Sequence, residues 1–182
     1  MKFSCMIWPF SGTEIEAVVR LAQDAERCGF ETVYVGDSQM IWNDPWVVLT
    51  ACALNTERVR LGPGVTNTVT RHPAVTANAI TSLNMISGGR AVLGVGAGDS
   101  AVRTAGLSPH KIVEIRERIE FMRALLDGEE REALRPEAAR RRAAAQARQA
   151  PDQAALRRAG GHPDGGGRRG PGGRGRAQHV VV

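Results

Sequence analysis

Cysteine is scarce in this 182-residue chain, which has only Cys5, Cys28 and Cys52. An odd, widely spaced set without a CxxC pair excludes a disulfide framework and a zinc site of ordinary spacing. It predicts reduced thiols, no metal centre and a cytoplasmic location. Long apolar runs are also missing. The N-terminus offers one lysine and a brief apolar stretch cut by Pro9, too short for a secretory signal. Nothing approaches the roughly 18 residues of a membrane span, so no membrane partner is expected. Residues 131–182 lack Lys, Ile, Phe, Trp and Tyr altogether. That segment carries 12 Arg against 4 Asp+Glu, whereas residues 1–130 carry 12 Lys+Arg against 15 Asp+Glu. The net charge of +5 therefore belongs to the tail and says nothing about the remainder. Low-complexity runs such as Gly165–Arg176 cannot bury enough apolar area to offset chain entropy. The sequence thus divides into a globular domain, 1–130, and a disordered basic Arg/Gly/Ala-rich tail, 131–182, with a frayed helix over 136–150.

What is present centres on residues 60–100. Apolar runs at Val59–Val65 and Ala91–Val95 bracket a helical segment opening at Pro73 and closing at Gly88-Gly89, the expected asymmetry of helix ends. Strand, helix, strand predicts a βαβ unit with parallel strands. The theme repeats elsewhere in the domain. Lys2–Trp8 reads as a buried strand carrying a structural Cys5, and Thr32–Val35 as a second strand. Ile15 to Cys28 reads as a helix opened by a capping box, Ser11 with Glu14 or Thr13 with Glu16. Asp44-Pro45 starts another helix; Asp99 and Ser100 lie in a loop; Ile112–Leu126 is an amphipathic helix. About four β/α repeats argue for an α/β fold, doubly wound or a barrel. Polar and glycine residues gather just after the strands, at Gly36-Asp37-Ser38, Thr66-Asn67, Arg71-His72 and Gly96–Ser100. That edge is where parallel α/β folds place chemistry, which points to an enzyme. Gly94-Val95-Gly96-Ala97-Gly98 has GxGxG rather than GxGxxG spacing and no helix with an acidic partner after it, so a dinucleotide fingerprint is the lesser reading. Trp8 and Trp46 read as core or interface, Trp42 in its polar loop as a ligand contact, and His72 equally as packing or as a cofactor contact.

Four stretches, Gly62–Asn67, Arg71-His72-Pro73, Ser87–Arg90 and Gly94–Asp99, resemble in order and spacing the bacterial luciferase-like family of flavin- or deazaflavin-dependent oxidoreductases. The likeness is nearest to the coenzyme F420-dependent branch that includes methylenetetrahydromethanopterin reductase. It implies a TIM (β/α)8 barrel, of which residues 1–130 supply the first half. It also implies F420 as cofactor, with FMN as the alternative, a small-molecule substrate, and a homodimer formed through the second and third helices. Carried over by position, Asp37 and Ser38 flank the reactive ring face and Trp42 stacks near it. Gly64-Val65 forms a cis peptide behind the ring, Thr66 and Asn67 reach its pyrimidine edge, and Gly98 and Asp99 lie against it. Asp37 and Asp99 are the candidate catalytic groups. Ser38 departs from the His common in F420-dependent alcohol and sugar dehydrogenases. Residues 131–182 show no counterpart of the second half of the barrel, and their composition resembles a GC-rich gene translated out of frame beyond residues 128–131.

The function implied by the resemblance is hydride transfer between the ring and a small organic substrate. Two rivals differ in class. One is a non-catalytic fragment with weak or no cofactor binding. The other is a nucleic-acid-associated protein acting through its basic tail, which the lack of interleaved aromatics disfavours.

Overall fold

The computed structural model describes residues 1–130 together with 180 and 181. Strands β1 (Ser4–Ile7), β2 (Thr32–Val35) and β3 (Arg60–Pro63) pair in parallel in that order, with Cys5 beside Val33 and Val33 beside Leu61. β4 (Thr66–Asn67) pairs in parallel with β5 (Leu93–Gly96), placing Thr66 opposite Val95. The two groups are stitched at Leu61, whose N–H donates to Arg90 O at 3.0 Å and whose carbonyl accepts from Val92 N at 2.9 Å. β6 (Val180–Val181) lies on the other side of β5, in parallel with Leu93-Gly94. Apart from these two residues, the expected disorder and frayed helix of the tail fall outside the described residues.

Parallel strands need long crossovers. Five helices, α1 (Ile15–Arg27), α2 (Pro45–Leu54), α3 (Pro73–Ile86), α4 (Asp99–Thr104) and α5 (Ile112–Leu126), occupy them. α1 turns Val18, Ala22 and Ala25 inward, three positions on one helical stripe. They meet Val33 and Val35 of β2, Leu61 of β3 and Val48, Leu49 and Cys52 of α2 in one core that extends to Ile80, Leu83, Leu93 and Val95. Each fully buried aliphatic side chain contributes about 1.5–3 kcal/mol, which makes this packing the main support of the fold. Asp44 caps α2, its Oδ1 accepting from Trp46 N at 2.9 Å and Val47 N at 3.3 Å, with Pro45 at the first helical position. α3 stops at Gly88 and Gly89, whose φ values of +65° and +92° only glycine adopts readily.

Four expectations need correction. β1 is only half-buried, and on one face. Cys5 and Ile7 pack against the core while Met6 and Trp8 are exposed, because helices cover a single side of the sheet. Neither capping box forms, since α1 begins one residue after Glu14, which makes no side-chain cap. The expected strand Val59–Val65 is shorter, β3 covering only Arg60–Pro63, and Thr66–Asn67, expected to follow the strand, form the separate strand β4 beyond the cis Gly64–Val65 peptide. Asp99–Thr104 is a short helix rather than a loop; Gly98 turns into it in a left-handed conformation, and Ala101 and Val102 are buried beneath it.

At the amino ends of the strands, two charged side chains hold the segment that leads into β3. The Glu26 carboxylate accepts from the backbone N–H groups of Glu57, Arg58 and Val59. Burial disfavours its charge, but these three donors and Arg58 outweigh that and hold its pKa below the usual range. The Arg90 guanidinium donates to Ala53 O, Thr56 O, Thr56 Oγ1, Val59 O and Ser87 O.

Candidate functional site

At the opposite, carboxyl ends of the strands, β2 runs into Gly36-Asp37-Ser38 and β4 presents Thr66 and Asn67. Strand pairing brings these two ends together. Thr66 Oγ1 donates to Asp37 Oδ2 at 2.6 Å, and both residues are buried. Burial raises the pKa of Asp37, with Asp44 reinforcing it; the Thr66 bond and the positive field of Arg71 oppose it without cancelling it. The result is a carboxyl that holds its proton more tightly than an exposed aspartate, the tuning expected of a group that takes and returns protons.

Asn67 is 1% exposed and divides its amide between two jobs. Its Oδ1 accepts from Val69 N and Thr70 N, both at 2.9 Å, and from Thr70 Oγ1 at 3.1 Å. Its Nδ2 has no partner. Ser38 Oγ and Trp42 Nε1 are likewise buried without partners. Trp46 Nε1 on α2 and Thr76 Oγ1 on α3 complete the five such atoms among the described residues. Unsatisfied buried polar atoms each cost about 1–3 kcal/mol, and three of the five lie on the segments that follow β2 and on β4. An isoalloxazine-type ring, apolar over its faces and polar at its pyrimidine edge, fits a donor set of this kind.

The remaining predicted residues are placed as follows. Gly64–Val65 is cis, as the resemblance implies. A Cβ on Gly96 would lie 2.7 Å from Val65 Cγ2, so the Val65 side chain lies across β5. A Cβ on Gly98 would lie 2.4 Å from Asn67 Cβ, so the backbone there must be bare to let the Asn67 side chain pack. Trp42 lies over Gly36 beside Trp8 and is partly buried. Asp99 is not drawn into this buried group. It opens α4, is exposed, and pairs with Arg103 one turn on. His72 takes the packing role, its Nδ1 capping α3 through Ala74 N and its ring standing edge-on to Phe121.

Sequence reasoning missed several neighbours. Arg71 bonds Asp44 Oδ2 at 2.9 Å and lies over the Trp46 ring, 5.8 Å from its centroid. Gln39 Nε2 donates to Ala101 O at 2.7 Å, tying the loop after β2 to α4. Thr68 Oγ1 lies 3.0 Å from His110 Nδ1. Long-range side-chain pairs of this kind leave no periodic trace, although Arg71 belongs to the polar Arg71-His72 pair that follows the third strand. No helix among the described residues is long and apolar enough to cross a membrane, and no cluster of metal-ligating side chains occurs among them.

Residues 1–165 match the family described as luciferase-like monooxygenase. The chain is 42% identical over 131 residues to the 5,10-methylenetetrahydromethanopterin reductase of Archaeoglobus fulgidus, covering 70% of this chain and 38% of that protein. It is 38% identical over 120 residues to the F420-dependent glucose-6-phosphate dehydrogenase of Beutenbergia cavernae, covering 58% and 35%. The solved coenzyme F420 dependent tetrahydromethanopterin reductase from Methanopyrus kandleri superposes with a TM-score of 0.65 at 31% identity, over 72% of this chain and 42% of that one. The chain therefore spans well under half the length of these relatives, and its parallel β/α units correspond to part of their TIM-barrel fold. On this agreement of residues, fold and family match, the chain belongs to the luciferase-like monooxygenase family of oxidoreductases.

Proposed function

We propose that residues 1–130 form the ring-binding half of an F420-dependent oxidoreductase that transfers hydride to or from a small organic substrate. The observation that carries this reading is the set of orphaned buried donors, Ser38 Oγ, Asn67 Nδ2 and Trp42 Nε1, gathered on segments that also supply the Asp37–Thr66 pair. The cofactor-dependence of the reductase and dehydrogenase relatives supports deazaflavin over FMN.

When bound, the deazaflavin supplies the hydride chemistry, and the protein supplies position and protonation. Val65, Thr66 and Asn67 would hold the ring with Ser38, and the Trp42 and Trp8 indoles over Gly36 would exclude water from its side. Asp37, with a raised pKa and a Thr66 hydroxyl on Oδ2, would hold a proton beside the ring or substrate. Asp99 at the opening of α4 would act at the solvent side, released from Arg103. The exposed Val47 and Leu54 of α2 and Val75, Met85 and Ile86 of α3 support a homodimer through those helices. Substrate-facing and cofactor-tail contacts would come from the part of the barrel outside residues 1–130.

Fluorescence titration of the 182-residue protein with oxidised F420 and with FMN tests the reading. Micromolar F420 affinity that is lost in Asn67→Ala is the expected result. A folded protein that binds neither would leave the fragment alternative standing.

A further inference from the structure

The segment Thr68–His72 follows directly on Thr66-Asn67 and has no regular structure of its own. Its position is set from outside, by Asp44 and by Trp46 of α2 through Arg71 and, at both ends, by α5 with its approach loop. At one end, Thr68 Oγ1, on a residue 5% exposed, meets His110 Nδ1 at 3.0 Å. At the other end the His72 ring stands edge-on to Phe121 of α5, 6.4 Å between centroids. Between these two points Asn67 Oδ1 holds the backbone of Val69 and Thr70, which orients the amide so that Nδ2 is the free donor.

We propose that His110 is a positioning residue for the candidate site, clamping Thr68 so that the Asn67 amide is held with its free donor in register for a ring-shaped ligand. The proposal rests on the cofactor reading above for its ligand, but the clamp itself is a property of the ligand-free chain. Nothing else in the described residues bonds the Thr68 hydroxyl. His110 lies forty-two residues away in sequence, so the contact joins two β/α units that strand pairing alone does not fix at this level. Burial lowers the His110 pKa and Arg118 adds to it, while Glu114 opposes. A neutral ring with its proton on Nε2 offers an Nδ1 lone pair that can accept the Thr68 proton. Protonation would not undo the clamp, because the Thr68 hydroxyl can turn and accept instead. The clamp is a fixed tether and not an acid switch.

The test compares the parent with His110→Ala, Thr68→Val and His110→Asn, the last offering an Oδ1 acceptor near the place of Nδ1. Two quantities are read for each: amide hydrogen exchange of residues 66–72 in the ligand-free protein, and affinity for oxidised F420. A hydrogen bond of about 1 kcal/mol corresponds to roughly fivefold. His110→Ala and Thr68→Val should each speed exchange in 66–72 by about that factor, with α1 and β2 unchanged, and weaken F420 binding about as much. His110→Asn should restore both. Unchanged exchange in 66–72 would overturn the proposal, as would faster exchange with unaltered F420 affinity. A parent that binds no F420 while the exchange pattern appears as expected would overturn the cofactor reading and leave the tether established.

Discussion

Replacing Arg90 by lysine keeps the charge and most of the stem, yet it should destabilise the protein severely. The guanidinium donates five hydrogen bonds from one planar fork, four to backbone carbonyls at 2.7–2.9 Å and one to Thr56 Oγ1 at 3.0 Å. An ammonium is a point donor and can serve about two of these acceptors at once. Arg90 is only half-buried, so water can reach part of what is abandoned, and each lost bond is taken at about 1 kcal/mol, below the roughly 1.5–3 kcal/mol of a fully buried charged donor. Three lost bonds give roughly 3 kcal/mol, a fall in Tm of about 10 °C for an ordered region of this size. Urea unfolding followed by far-UV circular dichroism would measure it, with an unchanged m-value required for the comparison. Glu26 grips the same segment from the other side, so Glu26→Gln and Arg90→Lys should be non-additive in a double-mutant cycle. A loss below about 1 kcal/mol for Arg90→Lys would show that the fork is ornamental, and the reasoning would fall.

Two further predictions concern the other end of the strands and the seam between the strand groups. Because the Asp37 pKa is raised in the folded state, mainly by burial, its contribution favours folding below the ordinary aspartate range and is lost as pH climbs through its folded value. The stability of the parent relative to Asp37→Asn should therefore fall between acid and neutral pH, and parallel urea midpoints across that range would contradict this. Gly62→Ala should fail to fold or lose more than about 3 kcal/mol, since the new Cβ would lie 1.8 Å from Val92 O and neither backbone can give way. Normal expression and an unshifted melting curve would refute it.

The helices and the order of strands are legible in the sequence wherever one face is buried and the ends are punctuated. Asp44-Pro45 and Pro73 mark the starts of their helices to the residue, and Gly88-Gly89 follows the end of α3 at Ile86 after the cap Ser87. Legibility fails where geometry depends on what lies across the sheet. Lys2–Trp8 has the composition of a strand buried on both sides, but only tertiary packing decides that Met6 and Trp8 face away from the helices. β3 ends within Gly62-Pro63-Gly64, which the sequence pattern keeps inside one apolar run, and the cis Gly64–Val65 peptide that separates it from β4 is marked by the family resemblance and not by periodicity. α4 is too short to show a period; it rests on Gly98 and on two buried residues, and the Asp99–Arg103 pair one turn apart is the only sequence hint. At the site, Asp37 and Thr66 could be placed at strand ends, and parallel register makes them neighbours. The orphaned donors could not be foreseen, because satisfaction is a property of three-dimensional company. His110 and Arg71 belong to the same class, as residues whose role is defined by a partner far along the chain.

The tryptophans have a practical consequence. Trp8 follows β1, Trp42 follows β2 and Trp46 opens α2, so all three indoles sit at one end of the sheet. Two of them meet over Gly36, while the end held by Glu26 and Arg90 contains none. Intrinsic emission is therefore a one-sided gauge. Excitation near 295 nm will register events around Gly36, Ser38 and Arg71 without any attached dye, and loosening confined to the Arg90 end will pass unseen until the whole sheet gives way. A ligand-induced quench and an urea curve read by tryptophan thus report on different ends of the same molecule, and a disagreement between emission and circular dichroism in the Arg90 variants would locate where unfolding begins.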